Sequence, residues 1–291
     1  MILRKFTVLL LVFILTITTV SSAAEHGRDL HKISYQGIER SYYVHVPEGL
    51  PKNAPLVFYL HGYNNRNPKY ERFLQVANQE KFVLCVPLAA QDPTGKYGWN
   101  VGYAFQKDFK VDDVAFICHL TKKLCKEYDL SKENVFCTGH SNGGEMCYLF
   151  AYLKPKFFRA LAPLSGLTME WMYRELTPKQ GVPLMEIHGT ADKTSYWDGN
   201  LSDKRWGPYI SVPLAVSNWA IAARCTSEQV TELPLLNKDS RQVKVHIFSS
   251  EYNGGIEVQL YEIVGCGHRL SLNDLDYPMV VWNFFKKYLR E

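Results

Sequence analysis

Gly139-His140-Ser141-Asn142-Gly143-Gly144 holds a serine in the pattern G-x-S-x-G. A serine hydroxyl is a poor nucleophile unless a base takes its proton. The setting of the pattern gives it weight. Val135–Thr138 reads as a strand and Glu145–Leu149 as a helix, so the serine stands at a strand–turn–helix junction, as a nucleophile elbow requires. In so tight a turn, side chains two residues either side of the serine would collide, which accounts for Gly139 and Gly143. Gly144 lets the following helix pack closely. The helix N-terminus beside the hydroxyl favours developing negative charge.

The partners of such a serine follow it in the order acid, then histidine. Of nine histidines only His188, His246 and His268 come after Ser141. His188 precedes the best acid, and His246 sits inside an apolar strand pattern. His268 lies just beyond a strand, in Gly265-Cys266-Gly267-His268, where such sites assemble. Asp192, four residues past the strand ending at His188, is the leading acid, with Asp198 second. A carboxylate there would hold the imidazole in one tautomer and stabilise its charged form.

Oxyanion donors are expected from the backbone N–H groups of Asn142 and Tyr63. Tyr63 follows Gly62, which permits close backbone approach, in the loop after the strand Leu56–Leu60. His61 either holds this loop or lines the substrate site. Trp99, Trp197 and Trp206 lie in loop-like segments. They either stack on a sugar or aromatic acyl group or close the core from its rim.

The elements that must position these residues are legible as alternating patterns. Strands are expected at Ser41–Val46, Leu56–Leu60, Phe82–Val86, Val135–Thr138, Ala160–Leu164, Leu184–His188, Val243–Phe248 and Val258–Ile263. Several are apolar throughout, which suits strands covered on both faces of a mainly parallel sheet. Helices are expected at Asp112–Tyr128, Gly143–Leu153, Ser211–Arg224 and Tyr277–Leu289. Asp112–Tyr128 opens on acids and carries Val114, Ile117, Leu120, Leu124 and Tyr128 on one stripe. The alternation predicts a single α/β domain with helices on both faces of the sheet. Lys193–Pro208 fits neither period and reads as a surface loop beside a pocket.

The bulk properties bound the function. The chain has 291 residues, 46% hydrophobic and 21% charged, enough for a sizeable core. Arg4 and Lys5 precede an uncharged run, Phe6–Val20, and small residues follow to Ala24. This predicts a secretory signal peptide over residues 1–24 and a mature domain over 25–291. The run is shorter than the roughly 20 residues that span a bilayer. A secreted or periplasmic protein without membrane contact is therefore expected after cleavage. Loss of Arg4 and Lys5 leaves 31 basic against 29 acidic residues, and no basic block points to nucleic acid. All seven cysteines lie in the mature part, with no zinc spacing. Cys118 and Cys125 lie about 10 Å apart along one helix, too far to bridge. Cys85 and Cys137 read as small core residues. Cys225 with Cys266 is the pair that could bridge.

Several segments together carry a resemblance. They are "YLHGY" at 59–63, "WN" at 99–100, "VDDVAFI" at 111–117, "VFCTGHSNGGEM" at 135–146, "HGTAD" at 188–192 and "GCGH" at 265–268. The chain resembles the secreted esterases that include feruloyl esterases, acetylxylan esterases and polyhydroxybutyrate depolymerases. The resemblance implies an α/β-hydrolase fold, a Ser141–Asp192–His268 triad, and ester hydrolysis without cofactor or metal. It also suggests an ester-bearing polysaccharide or oligosaccharide as substrate, with hydroxybutyrate oligomers or other small esters as the alternative. A non-catalytic carbohydrate-binding protein is the reading from a different class. Two departures stand out. Tyr63 occupies a place where depolymerases tend to carry cysteine. Arg269-Leu270-Ser271 follows the histidine in place of an aromatic and Pro-Gly.

Overall fold

Leu56, Phe58 and Leu60 face one side of their strand, Val57 and Tyr59 face the other, and all are buried. A strand of this kind needs apolar cover on both faces. The computed structural model, which describes residues 30–291, supplies it. The expected signal peptide and its cleavage site near Ala24 lie outside the described residues.

Ten strands form one sheet: β1 (Leu30–Tyr35), β2 (Ile38–His45), β3 (Leu56–Leu60), β4 (Val83–Pro87), β5 (Val135–His140), β6 (Ala160–Leu164), β7 (Leu184–Gly189), β8 (Ser227–Glu232), β9 (Val243–Ser249) and β10 (Val258–Ile263). Their order across the sheet is β1-β2-β4-β3-β5-β6-β7-β10-β9-β8. The central run from β4 to β10 is parallel, and antiparallel pairs close both edges.

Helices α2 (Asp113–Glu127), α3 (Asn142–Leu153) and α5 (Val212–Ala222) bury their apolar stripes in one cluster with Leu56, Phe58 and Leu60. The short α4 (Glu170–Glu175) adds Met172 there. On the other face α1 (Glu71–Glu80) and α6 (Tyr277–Lys286) pack against Val57 and Tyr59, with Trp282 stacked 4.4 Å from Phe82. This is the α/β-hydrolase fold.

The structure adds β1, β8, α1 and α4 to the expected elements. Lys193–Pro208 forms no named helix or strand. The Cys225–Cys266 bridge is a correction: all seven cysteines are free. Cys225 lies near the start of β10, where Asn253 Nδ2 approaches its sulfur at 3.7 Å, whereas Cys266 follows the end of that strand. Six strand residues hold them roughly 20 Å apart at about 3.3 Å per residue.

One buried ion pair fixes the first turn of α2. Asp112 Oδ1 caps the helix at Ala115 N, 2.8 Å away. The next residue, Asp113, accepts from Arg40 of β2 at 2.7 Å and from the Asn100 N–H at 2.8 Å. Both side chains are almost wholly buried, and the guanidinium also lies 3.9 Å over the Phe116 ring. Asp113→Ala would strand the buried guanidinium. It is expected to lower the unfolding free energy by about 3–5 kcal/mol in urea denaturation. A loss under about 1 kcal/mol would mean that Arg40 finds another partner.

Candidate active site

Ser141 joins β5 to α3 with φ 55° and ψ −121°, a conformation a non-glycine residue holds only under constraint. Its N–H donates to the Leu164 carbonyl at 2.8 Å, and its carbonyl accepts from Glu145 N at 2.9 Å. Glycines make the turn fit. A Cβ on Gly139 would sit 2.6 Å from the Gly143 carbonyl carbon, and one on Gly143 would fall within the Leu60 carbonyl. Gly144 meets Gly166, at the end of β6, backbone to backbone.

Asp192 and His268 are brought together from different strand ends. Asp192 Oδ1 accepts the backbone N–H groups of Thr194 and Ser195 at 2.7 and 2.9 Å. Oδ2 lies 2.7 Å from His268 Nδ1. The loops after β7 and β10 are stitched by Ala191 N to Cys266 O at 2.9 Å and Thr190 N to Ile263 O at 3.1 Å. Gly189 leaves room for this crossing, since a Cβ there would overlap the Cys266 carbonyl. The His268 side chain is one-fifth exposed.

Two further histidines frame this pair, and sequence reasoning assigned neither a role in the site. His140 Nε2 donates to the His268 carbonyl at 2.9 Å, with the rings 4.9 Å apart. Burial, followed by the neighbouring His268, lowers its pKa to about 4, so His140 is a neutral prop. Behind Asp192, His188 Nδ1 lies 2.9 Å from Glu186 Oε1. Burial disfavours a charged His188. Its bonds to Asp192 and Glu186 outweigh that and raise its pKa to about 9. Burial alone would likewise raise the Asp192 carboxyl. The bonds from His188, His268 and Thr194 hold it well below the usual carboxylate range. Both histidines sit inside the motifs that flag the site, GHSNGG and HGTAD, which is the signal that pointed to them.

The loop after β3 lies against the elbow. A Cβ on Gly62 would meet the His140 carbonyl and Ser141 Cβ at 3.4 Å. The Tyr63 backbone follows directly, and its hydroxyl donates to Asp92 at 2.6 Å. The Asn142 side chain, completely buried, clasps the Trp99 backbone. Its Oδ1 accepts the Trp99 N–H at 2.7 Å and its Nδ2 donates to the Trp99 carbonyl at 3.2 Å. Tyr103 donates to Glu145 one turn along α3. Burial lifts the Glu145 pKa to about 7.

Two expected substrate contacts are corrected. His61 has no exposed surface. Its Nδ1 bonds the Gly62 carbonyl at 2.7 Å and its Nε2 accepts from Ala89 N at 3.0 Å, so it shapes the loop. Trp99 is equally buried and donates Nε1–H to the His61 carbonyl at 3.0 Å. Trp197 is half-buried, 6.1 Å from the His188 ring, and lines a cavity of about 420 Å³ with Asp192, Tyr196 and Asp198. Trp206 is also half-buried, 5.3 Å from Tyr63. His246 bonds Glu228 and Glu262, on the strands to either side of its own, and has no contact with Ser141, Asp192 or His268.

Residues 85–200 match the prolyl oligopeptidase family. A bifunctional acetylxylan esterase/xylanase of Neocallimastix patriciarum is 23% identical over 257 residues, 87% of this chain and 34% of that protein. Feruloyl esterase B of Piromyces equi is 25% identical over 259 residues, 86% of this chain and 45% of that protein. The solved acetyl xylan esterase of Aspergillus awamori superposes with a TM-score of 0.61. The two are 16% identical, and the match covers 88% of this chain and 99% of that one. The chain has the α/β-hydrolase fold and is similar to feruloyl and acetylxylan esterases. It spans less than half the length of the two curated relatives.

Two outcomes test this geometry. Gly143→Ala forces backbone apart and is expected to cost about 3 kcal/mol of stability or more, at the upper end for overpacking. Gly267→Ala, where a Cβ meets open space, serves as control and should change denaturation by well under about 1 kcal/mol. Glu145 has a folded pKa of about 7 against an ordinary 4.5. Its contribution is therefore fully present below pH 4.5 and is lost as pH rises through 7, by up to about 3 kcal/mol. Glu145→Gln should remove that decline, so that the variant gains on the parent between pH 4.5 and 8 in thermal melts.

Proposed function

We propose that this chain is an exported serine esterase acting on acyl esters of plant cell-wall polysaccharide, feruloyl or acetyl esters of xylan. The observation that carries the reading is the 2.7 Å contact between Asp192 Oδ2 and His268 Nδ1 beside a strained serine elbow. Ser141 Oγ attacks the ester carbonyl, and His268 Nε2 takes its proton. Asp192 holds Nδ1–H and balances the imidazolium that forms. The N–H groups of Asn142 and Tyr63 receive the oxyanion. His268 then protonates the leaving alcohol. Water, activated by the same base, releases the acid and restores the serine.

The substrate class rests on the similarity to esterases of that name and on an aromatic wall beside the oxyanion loop. Tyr63, Tyr103, Phe105 and Trp206 pack with centroids 5.0–6.1 Å apart, and Trp206 is partly open to solvent. Such a wall suits a planar cinnamoyl ring. Export belongs to the same proposal: residues 1–24 act as a leader and 25–291 as one catalytic domain.

Kinetics with feruloylated and acetylated xylo-oligosaccharides, with hydroxybutyrate oligomers alongside, test the reading. Ser141→Ala should lose at least about 10³-fold in kcat and fail to react with a fluorophosphonate. Trp206→Ala should raise KM for the feruloyl ester by up to about tenfold and leave the acetyl ester near its parent value. Undiminished turnover in Ser141→Ala would end the proposal, and faster turnover of hydroxybutyrate oligomers would move the substrate class.

A further inference from the structure

His188 is completely buried, and both of its ring nitrogens face acceptors. Nδ1 meets Glu186 Oε1 at 2.9 Å. Nε2 meets the Ser195 carbonyl at 2.9 Å and Asp192 Oδ2 at 3.4 Å. A neutral imidazole has one N–H and one bare nitrogen. With Glu186 ionised, either tautomer would press a lone pair against an oxygen. The imidazolium satisfies every contact, because it donates from both nitrogens. The oxygens around it are already committed as acceptors: Glu186 Oε1 takes the Gly166 N–H at 3.1 Å, and Asp192 Oδ2 takes His268.

Burial pushes the Glu186 carboxyl up, and the bond and charge of His188 are the largest influences that pull it back down. Glu186 approaches from β7 itself and Asp192 from the loop that follows. From α3, Tyr148 lies against Glu186, and Glu145 adds a weaker field on it. His140, held neutral beside the elbow, and His268, after β10, are nearby titratable rings, and β10 itself brings Glu262, bonded to His246, into register with His188. The imidazolium is therefore set between Glu186 and Asp192, and among the described residues no lysine or arginine is bonded to either.

We infer that His188 is a positioning residue, protonated at neutral pH, which fixes Asp192 as a carboxylate and sets a standing positive charge on the far side of the carboxylate that His268 uses. The inference rests on the serine-esterase reading of the site and deepens it. Asp192 Oδ2 is shared between two histidines. The charge already present on His188 makes a second charge on His268 less favourable.

The full chain with ¹⁵N-labelled histidine gives the direct test. Both ring nitrogens of His188 are expected to carry protons at pH 7–8, in the parent and in Ser141→Ala alike. A bare Nδ1 there, with the proton on Glu186, would overturn the inference. Hydrolysis supplies the second readout. Folded His188→Gln keeps a donor toward Asp192 but no charge, so the acid limb of kcat/KM should move to higher pH by about one unit. A purely structural role would lower activity or stability and leave that limb in place, which would also overturn the inference. Absence of esterase activity in the parent would defeat the serine-esterase reading, while the nitrogen spectrum would still report the protonation of His188.

Discussion

The tightest constraint in the molecule is the backbone of the Ser141 turn. Its φ of 55° is held because three neighbouring strands and a helix leave no other path. Gly143 presses on the Leu60 carbonyl at the end of β3, Gly139 on the returning helix, and Gly144 on Gly166 at the end of β6. A methyl group at any of these places would push parallel strands apart. The strain at the serine is thus maintained by burial of the whole central sheet, with Leu60, Leu164 and Ile187 all fully packed around it. A loop with the same residues and no sheet beneath it would relax.

From this turn a ring of contacts runs through the site and returns. Gly144 packs on Gly166, whose N–H donates to Glu186. Glu186 pairs with His188, His188 approaches Asp192, and Asp192 pairs with His268. The His268 carbonyl then accepts from His140, the residue before the serine. Each contact joins a different strand end: β6, β7, β10 and β5. Orientation of the His268 ring is therefore set by four loops at once and does not depend on one flexible side chain. On the opposite flank Arg40, Asp113 and Asn100 anchor the segment whose Trp99 backbone the Asn142 side chain clasps. Buried polar groups linked in this way are costly to disturb singly.

Much of this was legible in the sequence, for definite reasons. Strands β3, β6 and β10 match their expected bounds because each is short, apolar and flanked by turn residues. Edge strands β1 and β8 escaped because period-2 apolarity needs a buried face. Ser227–Glu232 has none, being exposed along its whole length. Helix α1 does carry a stripe, Phe73, Val76 and Ala77, at i, i+3 and i+4, and was readable from it. The triad candidates followed from order along the chain. His61 and Trp99 were misplaced because a residue in a loop-like segment says nothing of what lies above it. Here the Asn142 clasp and the Ala89 contact draw both inward. The Cys225–Cys266 pairing failed for a related reason, since sequence separation does not reveal that one strand holds the two at opposite ends.

His140 and His188 are the same side chain at the ends of two strands of one sheet, with opposite protonation, and the difference lies in their partners. His140 offers one N–H to a carbonyl, a bond a neutral ring makes without help, and burial keeps it uncharged. His188 meets a carboxylate at one nitrogen and a carbonyl and a second carboxylate at the other, which only a charged ring can serve. Burial acts against charge at both positions, so it cannot be what separates them. The count of acceptors decides. The consequence reaches His268, which touches His140 directly and His188 only through Asp192. From His140 it receives a fixed backbone and little field. Through Asp192 it receives the counterweight of a standing positive charge. Geometry and basicity at the central base are thus governed by two different neighbours, and each can be altered without the other.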